Sequence, residues 1–253
     1  MTGNAVFHYR DTAILAVEVA EAPLVRTSAE FDEILAPTYE RLGLRPGMLE
    51  SLAGITERRW WPPDVSFADA AVMAGAKAIA AAGIDPQRIG LLVDTSVCRA
   101  NLEPSAAVEV HHSLALGPAC LNFDISNACL GFLNGMQLAA TMIDAGQVEY
   151  ALVVDGEGAR RTQESTLARL LQPQTTREDV LANFATLTLG SAGAAMVLGR
   201  ASEHAEGHRF VGGVARAATD HHRLCVGNLD GEDGGVAVVE HRIPGHPVSP
   251  HAH

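Results

Sequence analysis

The sequence predicts an α/β protein, a layered α-β-α fold with a mixed, mainly parallel sheet, and three observations carry that reading. Short apolar runs of strand length alternate with longer runs at helical spacing along the first two thirds of the chain. Two of those runs, GLLVDTS at Gly90–Ser96 and ALVVDGE at Ala151–Glu157, both end in an aspartate and small or polar residues. In α/β proteins that end of the sheet is where sites gather. An alanine-rich stretch, ADAAVMAGAKAIAAAG, reads as a helix whose small side chains allow close helix packing.

Taken in order, TAILAVEV at Thr12–Val19 reads as the first strand. Ser28 then caps a helix whose Phe31, Ile34, Leu35, Tyr39 and Leu42 fall at helical spacing, with Pro37 expected to interrupt or kink it. ITERRWW at Ile55–Trp61 joins two arginines to two tryptophans before Pro62 and Pro63 end any regular element. A helix follows from Ser66 to Gly83, with the glycine as its C-terminal cap. Ile89–Val93 is a buried strand, TSVCRANLEPS a polar loop, and Ser105–Leu116 the next helix. Leu121–Ser126 reads as a strand, a helix runs from there to about Gly146, and Tyr150–Asp155 is another buried strand. Residues 160–185 form an amphipathic helical excursion. Leu187–Arg200 and Phe210–Thr219 read as strands, the first rich in glycine and alanine where another backbone passes close. Residues 1–229 are expected to make one domain, and the proline- and histidine-rich 230–253 an irregular tail.

Composition narrows the function. A chain of 253 residues with 47% hydrophobic content can bury a substantial core. Its net charge of −12 and lack of a basic block disfavour nucleic acid and anionic membrane surfaces as partners. The four cysteines, Cys98, Cys120, Cys129 and Cys225, form no CxxC pair, so neither a zinc ribbon nor a disulfide framework is expected. With no stretch of membrane-spanning length and no secretory leader pattern, the expectation is a cytoplasmic protein.

Cys129 stands where a strand gives way to an apolar helix, in LNFDISNACLGFLNGM at Leu121–Met136. A helix N-terminus offers unpaired N–H groups and partial positive charge, which favour a thiolate and can stabilise an oxyanion. Unpaired cysteines are also common as small buried hydrophobes. Arg58, Arg59 and Trp60 form a patch able to stack on adenine and neutralise phosphates, or simply to pack. Glu103, in NLEPS, reads by itself as a solvated loop residue.

The run DISNACLGFLNGM, together with YALVVDGE from Tyr150 and LTLGSAGAAMVL from Leu187, resembles the thiolase superfamily and, within it, the ketoacyl synthase III-like condensing enzymes. PTYERLGL, LAGITERRWW, IGLLVDTSVCRANLEPS and LCVGNLD extend the likeness over about residues 10–230, and it leans toward the olefin-biosynthesis branch, which joins two long-chain acyl-CoA molecules head to head. The resemblance implies that Cys129 is the acylated nucleophile and that Glu103 is a base carried on a loop into the neighbouring subunit. It implies acyl-CoA or an acyl-carrier thioester as substrate, no resident cofactor or metal, and a homodimer or pairing with a homologous chain. It also implies a catalytic histidine and asparagine downstream of the cysteine, which no segment of this sequence matches. The histidines, among them His221 and His222 after a strand, fall at no catalytic position of the family. The expectation is therefore the nucleophile-bearing N-terminal half of a condensing enzyme, with a noncatalytic partner subunit and an acyl-CoA thioesterase as the alternatives.

Overall fold

The structure is a computed structural model and describes residues 5–222, 225–229 and 237–241. In chain order the elements are β1 (Ala5–His8), β2 (Ala13–Glu21), β3 (Leu24–Thr27), α1 (Ser28–Leu42), α2 (Met48–Ala53), β4 (Glu57–Trp60), α3 (Phe67–Ala82), β5 (Ile89–Asp94), α4 (Ala106–Ser113), β6 (Leu121–Asp124), α5 (Gly131–Asp144), β7 (Tyr150–Glu157), α6 (Arg160–Leu170), α7 (Arg177–Ala182), β8 (Ala192–Gly199), β9 (His208–Arg209), β10 (Gly212–Ala215), β11 (Cys225–Leu229) and β12 (Ala237–His241). Short 3-10 turns join several of them. The chain divides into two compact units, one of residues 1–24, 59–158 and 191–216, the other of 25–58, 159–190 and 217–253.

The first unit holds a six-stranded mixed sheet in the order β6-β5-β7-β8-β2-β9. Strand β5 runs parallel to both β6 and β7, while β8 pairs antiparallel with β7 and β2. Strand alternation sends side chains to two separate cores. Leu92, Leu152, Val154 and Val197 face one side with Ala71, Ala74 and Ala78 of α3 and Val110 of α4. Leu91, Val93, Val153 and Leu198 face the other with Ala139 and Ile143 of α5. Continuous apolar runs in β5 and β7 follow from this, because a strand covered by helices on both faces has no polar side.

Helix α3 begins and ends as its sequence indicates. Ser66 and Asp69 form a reciprocal capping box, and Gly83 closes the helix in the left-handed conformation. Its alanines let the backbone approach the sheet. A Cβ placed on Gly193 of β8 would lie 2.1 Å from the Ala70 carbonyl oxygen, so the glycine-rich strand is where another backbone passes close.

In the second unit α1 is capped by Thr27 rather than Ser28, with Glu30 completing the box. Pro37 lies inside α1 without ending it. The excursion at 160–185 resolves into α6 and α7, and Gln163 of α6, fully buried, donates from Nε2 to the carbonyls of Thr186 and Leu189. Of the stretch read as a tail, residues 237–241 form β12, which pairs antiparallel with β11. The rest of 230–253 lies outside the described residues. No helix among the described residues is long and apolar enough to cross a membrane.

Candidate active site

Between β6 and α5 the chain makes a tight elbow. Asn127 leads into a single 3-10 turn, Ala128–Leu130, and α5 starts at Gly131. Cys129 therefore sits one residue ahead of the helix cap, not within its first turn. It is exposed and reduced. Ala128 has φ +43°, a left-handed conformation that costs a residue with a Cβ on the order of 1–3 kcal/mol. Strain of this kind persists only where surrounding contacts enforce it.

Those contacts come from below. A Cβ on Gly131 would stand 2.7 Å from the Thr95 carbonyl oxygen, and one on Gly135 would stand 2.9 Å from Thr95 Cγ2 and Val153 Cγ1. The first turns of α5 thus press onto the carboxyl ends of β5 and β7, and the chain arriving from β6 has to reverse within three residues. Leu130 and Leu133, 55% and 57% exposed, lie beside the cysteine as an open apolar surface.

Among the cysteines whose side chains are described, exposure separates Cys129 from the rest. Cys120 is buried, and burial pushes its thiol up to about 11. Cys98 is pushed further in the same direction by burial and by the Glu157 carboxylate, so it stays a protonated thiol at neutral pH. The side chain of Cys225 lies outside the described residues.

The loop between β5 and α4 carries Glu103, and its two ends are held by carboxylates. Glu157 accepts the Val97 N–H at 2.6 Å and the Cys98 N–H at 3.3 Å. Asp124 accepts the N–H groups of Ala106 and Ala107 at 3.0 and 2.9 Å and pairs with Arg99 at 3.7 Å. The tip is free of such ties: Leu102 is 95% exposed and Glu103 is exposed next to it. Within this single chain, Glu103 makes no hydrogen bond or ion pair among the described residues. A cavity of about 50 Å³ under the loop, lined by Asp94, Ser96, Cys98, Arg99 and Glu109 among others, has room for water but not for an acyl chain.

Neither Asp124 nor Glu157 stood out in the sequence as a loop anchor. The available signal was the repeated aspartate at the strand ends. Asp94 and Asp155 are both held above the ordinary carboxylate range, Asp155 up to about 7, first by burial and then by Glu157 and Asp94. The folded chain keeps a proton on Asp155 that the unfolded chain releases, so this group's stabilising contribution is full below about pH 4 and is lost as pH rises toward 7. Asp155→Asn is expected to melt above the wild type at pH 8 by about 2 °C or more, and to show no advantage at pH 4. Thermal melts at the two pH values check this.

Arg58 and Trp60 require a correction. Strand β4 alternates, so Glu57 and Arg59 are exposed while Arg58 and Trp60, each 4% exposed, turn inward. Arg58 lies 4.4 Å over the Phe31 ring, and its guanidinium donates to Ser28 Oγ at 2.7 Å and to the Arg26 carbonyl at 3.3 Å. A buried indole and a buried guanidinium have no face left for adenine or phosphate. Of the three residues only Arg59 is exposed. Arg58→Ala is expected to cost about 2 kcal/mol of stability, the scale of lost hydrogen bonds to a charged group, with acyl-CoA affinity unchanged. Chemical denaturation and a binding titration separate the two effects. His221 and His222 are exposed in a 3-10 turn, where His222 Nδ1 lies 3.1 Å from the Thr219 carbonyl oxygen.

The family model for 3-oxoacyl-[acyl-carrier-protein] synthase III matches residues 123–217, a span that opens just before Cys129. The chain is 45% identical over 222 residues to an acyl-CoA:acyl-CoA alkyltransferase of Xanthomonas campestris, covering 88% of this chain and 66% of that protein. It is 38% identical over 214 residues to the enzyme of the same name from Shewanella oneidensis, covering 83% and 60%. The chain thus spans 60–66% of the length of these curated relatives. Among solved structures, a histidine-to-alanine variant of Xanthomonas campestris OleA superposes with a TM-score of 0.88 at 42% identity, over 94% of this chain and 68% of that one. A cysteine-to-serine variant described with bound lauric acid and lauroyl-CoA gives 0.85 at 44% identity, over 88% and 66%. A shared α/β fold over nearly the whole chain, with this level of identity, shows that the chain belongs to the ketoacyl synthase III-like family of the thiolase superfamily.

Proposed function

We propose that this chain is the acyl-accepting portion of an enzyme that condenses fatty acyl thioesters by Claisen chemistry, with acyl-CoA as the donor. The observation that carries the reading is Cys129: exposed, on a strained elbow ahead of α5, beside an apolar surface. The Cys129 thiolate attacks the thioester carbonyl, the tetrahedral oxyanion collapses, and CoA leaves as its thiolate while the acyl group stays on sulfur. In the second half-reaction a base removes the α-proton of another acyl thioester. The resulting carbanion attacks the acyl-cysteine carbonyl, and Cys129 departs to leave a β-ketoacyl thioester.

We assign the base to Glu103 and its delivery to a second copy of the chain. The loop supports this by being fixed at both ends by Glu157 and Asp124 while its tip, Leu102 and Glu103, stands out in solvent. Arg59 is the proposed contact for the CoA phosphates. The downstream histidine and asparagine that the resemblance implies match no segment of this sequence, so the 253-residue chain alone is expected to take up an acyl group without making a β-keto product.

The test is a product balance after mixing the chain with lauroyl-CoA. The proposal predicts CoA release that stops near one equivalent per chain, with little free fatty acid. Continuous release of lauric acid would instead make the chain a thioesterase, and no release at all would make it a noncatalytic partner.

A further inference from the structure

We infer that Asn127 and Asn134 act as a clasp that fixes the geometry of the nucleophile elbow, and that Asn134 is a positioning residue for acyl transfer to Cys129. Asn127 stands at the N-cap of the 3-10 turn that carries the cysteine. An asparagine there normally turns its side chain back to cap the N–H groups of its own turn. Here it makes no such bond. Its Nδ2 reaches seven residues ahead and donates to Asn134 Oδ1 at 2.6 Å, tying the residue before the strained Ala128 to the first turn of α5.

The bond closes a loop around Cys129. Below the elbow, the tight contacts of Gly131 and Gly135 with Thr95 and Val153 set how close α5 comes to the sheet, and a Cβ on Gly131 would also stand 3.6 Å from the Ile125 carbonyl oxygen, a packing contact rather than a bond. The backbone bonds here are local turn contacts: Leu130 N–H bonds the Asn127 carbonyl at 3.0 Å, and Gly131 N–H, at the start of α5, bonds the Ala128 carbonyl. Among the described residues the Asn127–Asn134 pair is the one side-chain bond that joins the segment before the cysteine to the helix after it. An amide pair suits that place because it is neutral. A carboxylate in either position would stand near the sulfur and disfavour its thiolate.

The inference rests on the acyl transfer proposed above, so the experiment reads the clasp in two ways. The first is peptide-level hydrogen exchange over residues 126–134 in the wild type and Asn134→Ala, with no substrate present. The second is the single-turnover rate of lauroyl transfer for the wild type, Asn127→Ala, Asn134→Ala and the double variant. Faster exchange across the elbow in Asn134→Ala is expected, with a melting temperature close to the wild type. The limiting acylation rate should fall by roughly ten- to a hundredfold, the scale of a small misplacement of reacting groups, while the half-saturating lauroyl-CoA concentration holds. Alkylation of Cys129 by iodoacetamide, which needs no alignment, should keep its rate and pH midpoint. The double variant should lose no more than Asn134→Ala does alone. Unchanged exchange over 126–134 would overturn the clasp whether or not the wild type is acylated, and so would independent, multiplying losses in the double variant. A wild type that takes no acyl group would count against the proposed function alone, since exchange still decides the clasp.

Discussion

Cys129→Ala is expected to reduce acyl transfer from lauroyl-CoA by at least about a thousandfold, because removing the nucleophile of a catalytic unit forfeits nearly all of its rate. No other cysteine with a described side chain can substitute. Cys120 is buried with its thiol pushed up to about 11, and Cys98 is held protonated by burial and by Glu157. The fold should be untouched, since Cys129 is exposed and holds no core contact that an alanine methyl would lose. Stopped-flow release of CoA under single-turnover conditions measures the effect. A variant that retains more than a tenth of the wild-type burst would remove Cys129 from the mechanism.

The second large effect concerns the Glu103 loop. If its tip enters the site of a second copy, Leu102 exchanges an exposure of 95% for burial in the partner. Leu102→Asp would place a charge in that contact and should weaken dimerisation by about thirtyfold or more, the scale of a hot-spot substitution. Sedimentation velocity across a concentration series reads this directly. A complementary variant, Glu103→Cys, should give a disulfide-linked dimer under mild oxidation, and the link should vanish when Cys129→Ala is added. A monodisperse monomer at micromolar concentration, or a link that survives Cys129→Ala, would show that the loop does not cross.

Much of this was legible in the residues. The two buried strands β5 and β7 announced themselves as uninterrupted apolar runs, because helices cover both faces of the sheet there. Helix α3 was bounded by its own chemistry, a serine cap with an aspartate three residues on and a glycine at the end. The capping box TSAE likewise marks Thr27, not Ser28, as the N-cap of α1; its signal was present and was misplaced by one residue.

The inward turn of Arg58 and Trp60 was also encoded, in a period of two. Reading ERRW as a strand separates Arg58 and Trp60 from Glu57 and Arg59, whereas reading it as a loop leaves all four available to solvent. What no local pattern showed was long-range. Asp124 and Glu157 grip the loop across 17 to 60 residues of chain, and the Gly131 and Gly135 contacts with Thr95 depend on how the helix seats on the sheet. The extent of the β6 strand was overestimated for the same reason: it ends at Asp124 because that side chain turns to cap α4 and the backbone must already bend toward the elbow.

The most direct test of the central claim is peptide mapping by mass spectrometry after brief exposure of the chain to lauroyl-CoA. The account predicts one lauroyl group, on the peptide containing Cys129, sensitive to hydroxylamine and absent in Cys129→Ala. A lauroyl group found on Cys98, Cys120 or Cys225 with Cys129 unmodified, or a chain that releases CoA with no adduct on Cys129 at any time, would contradict it.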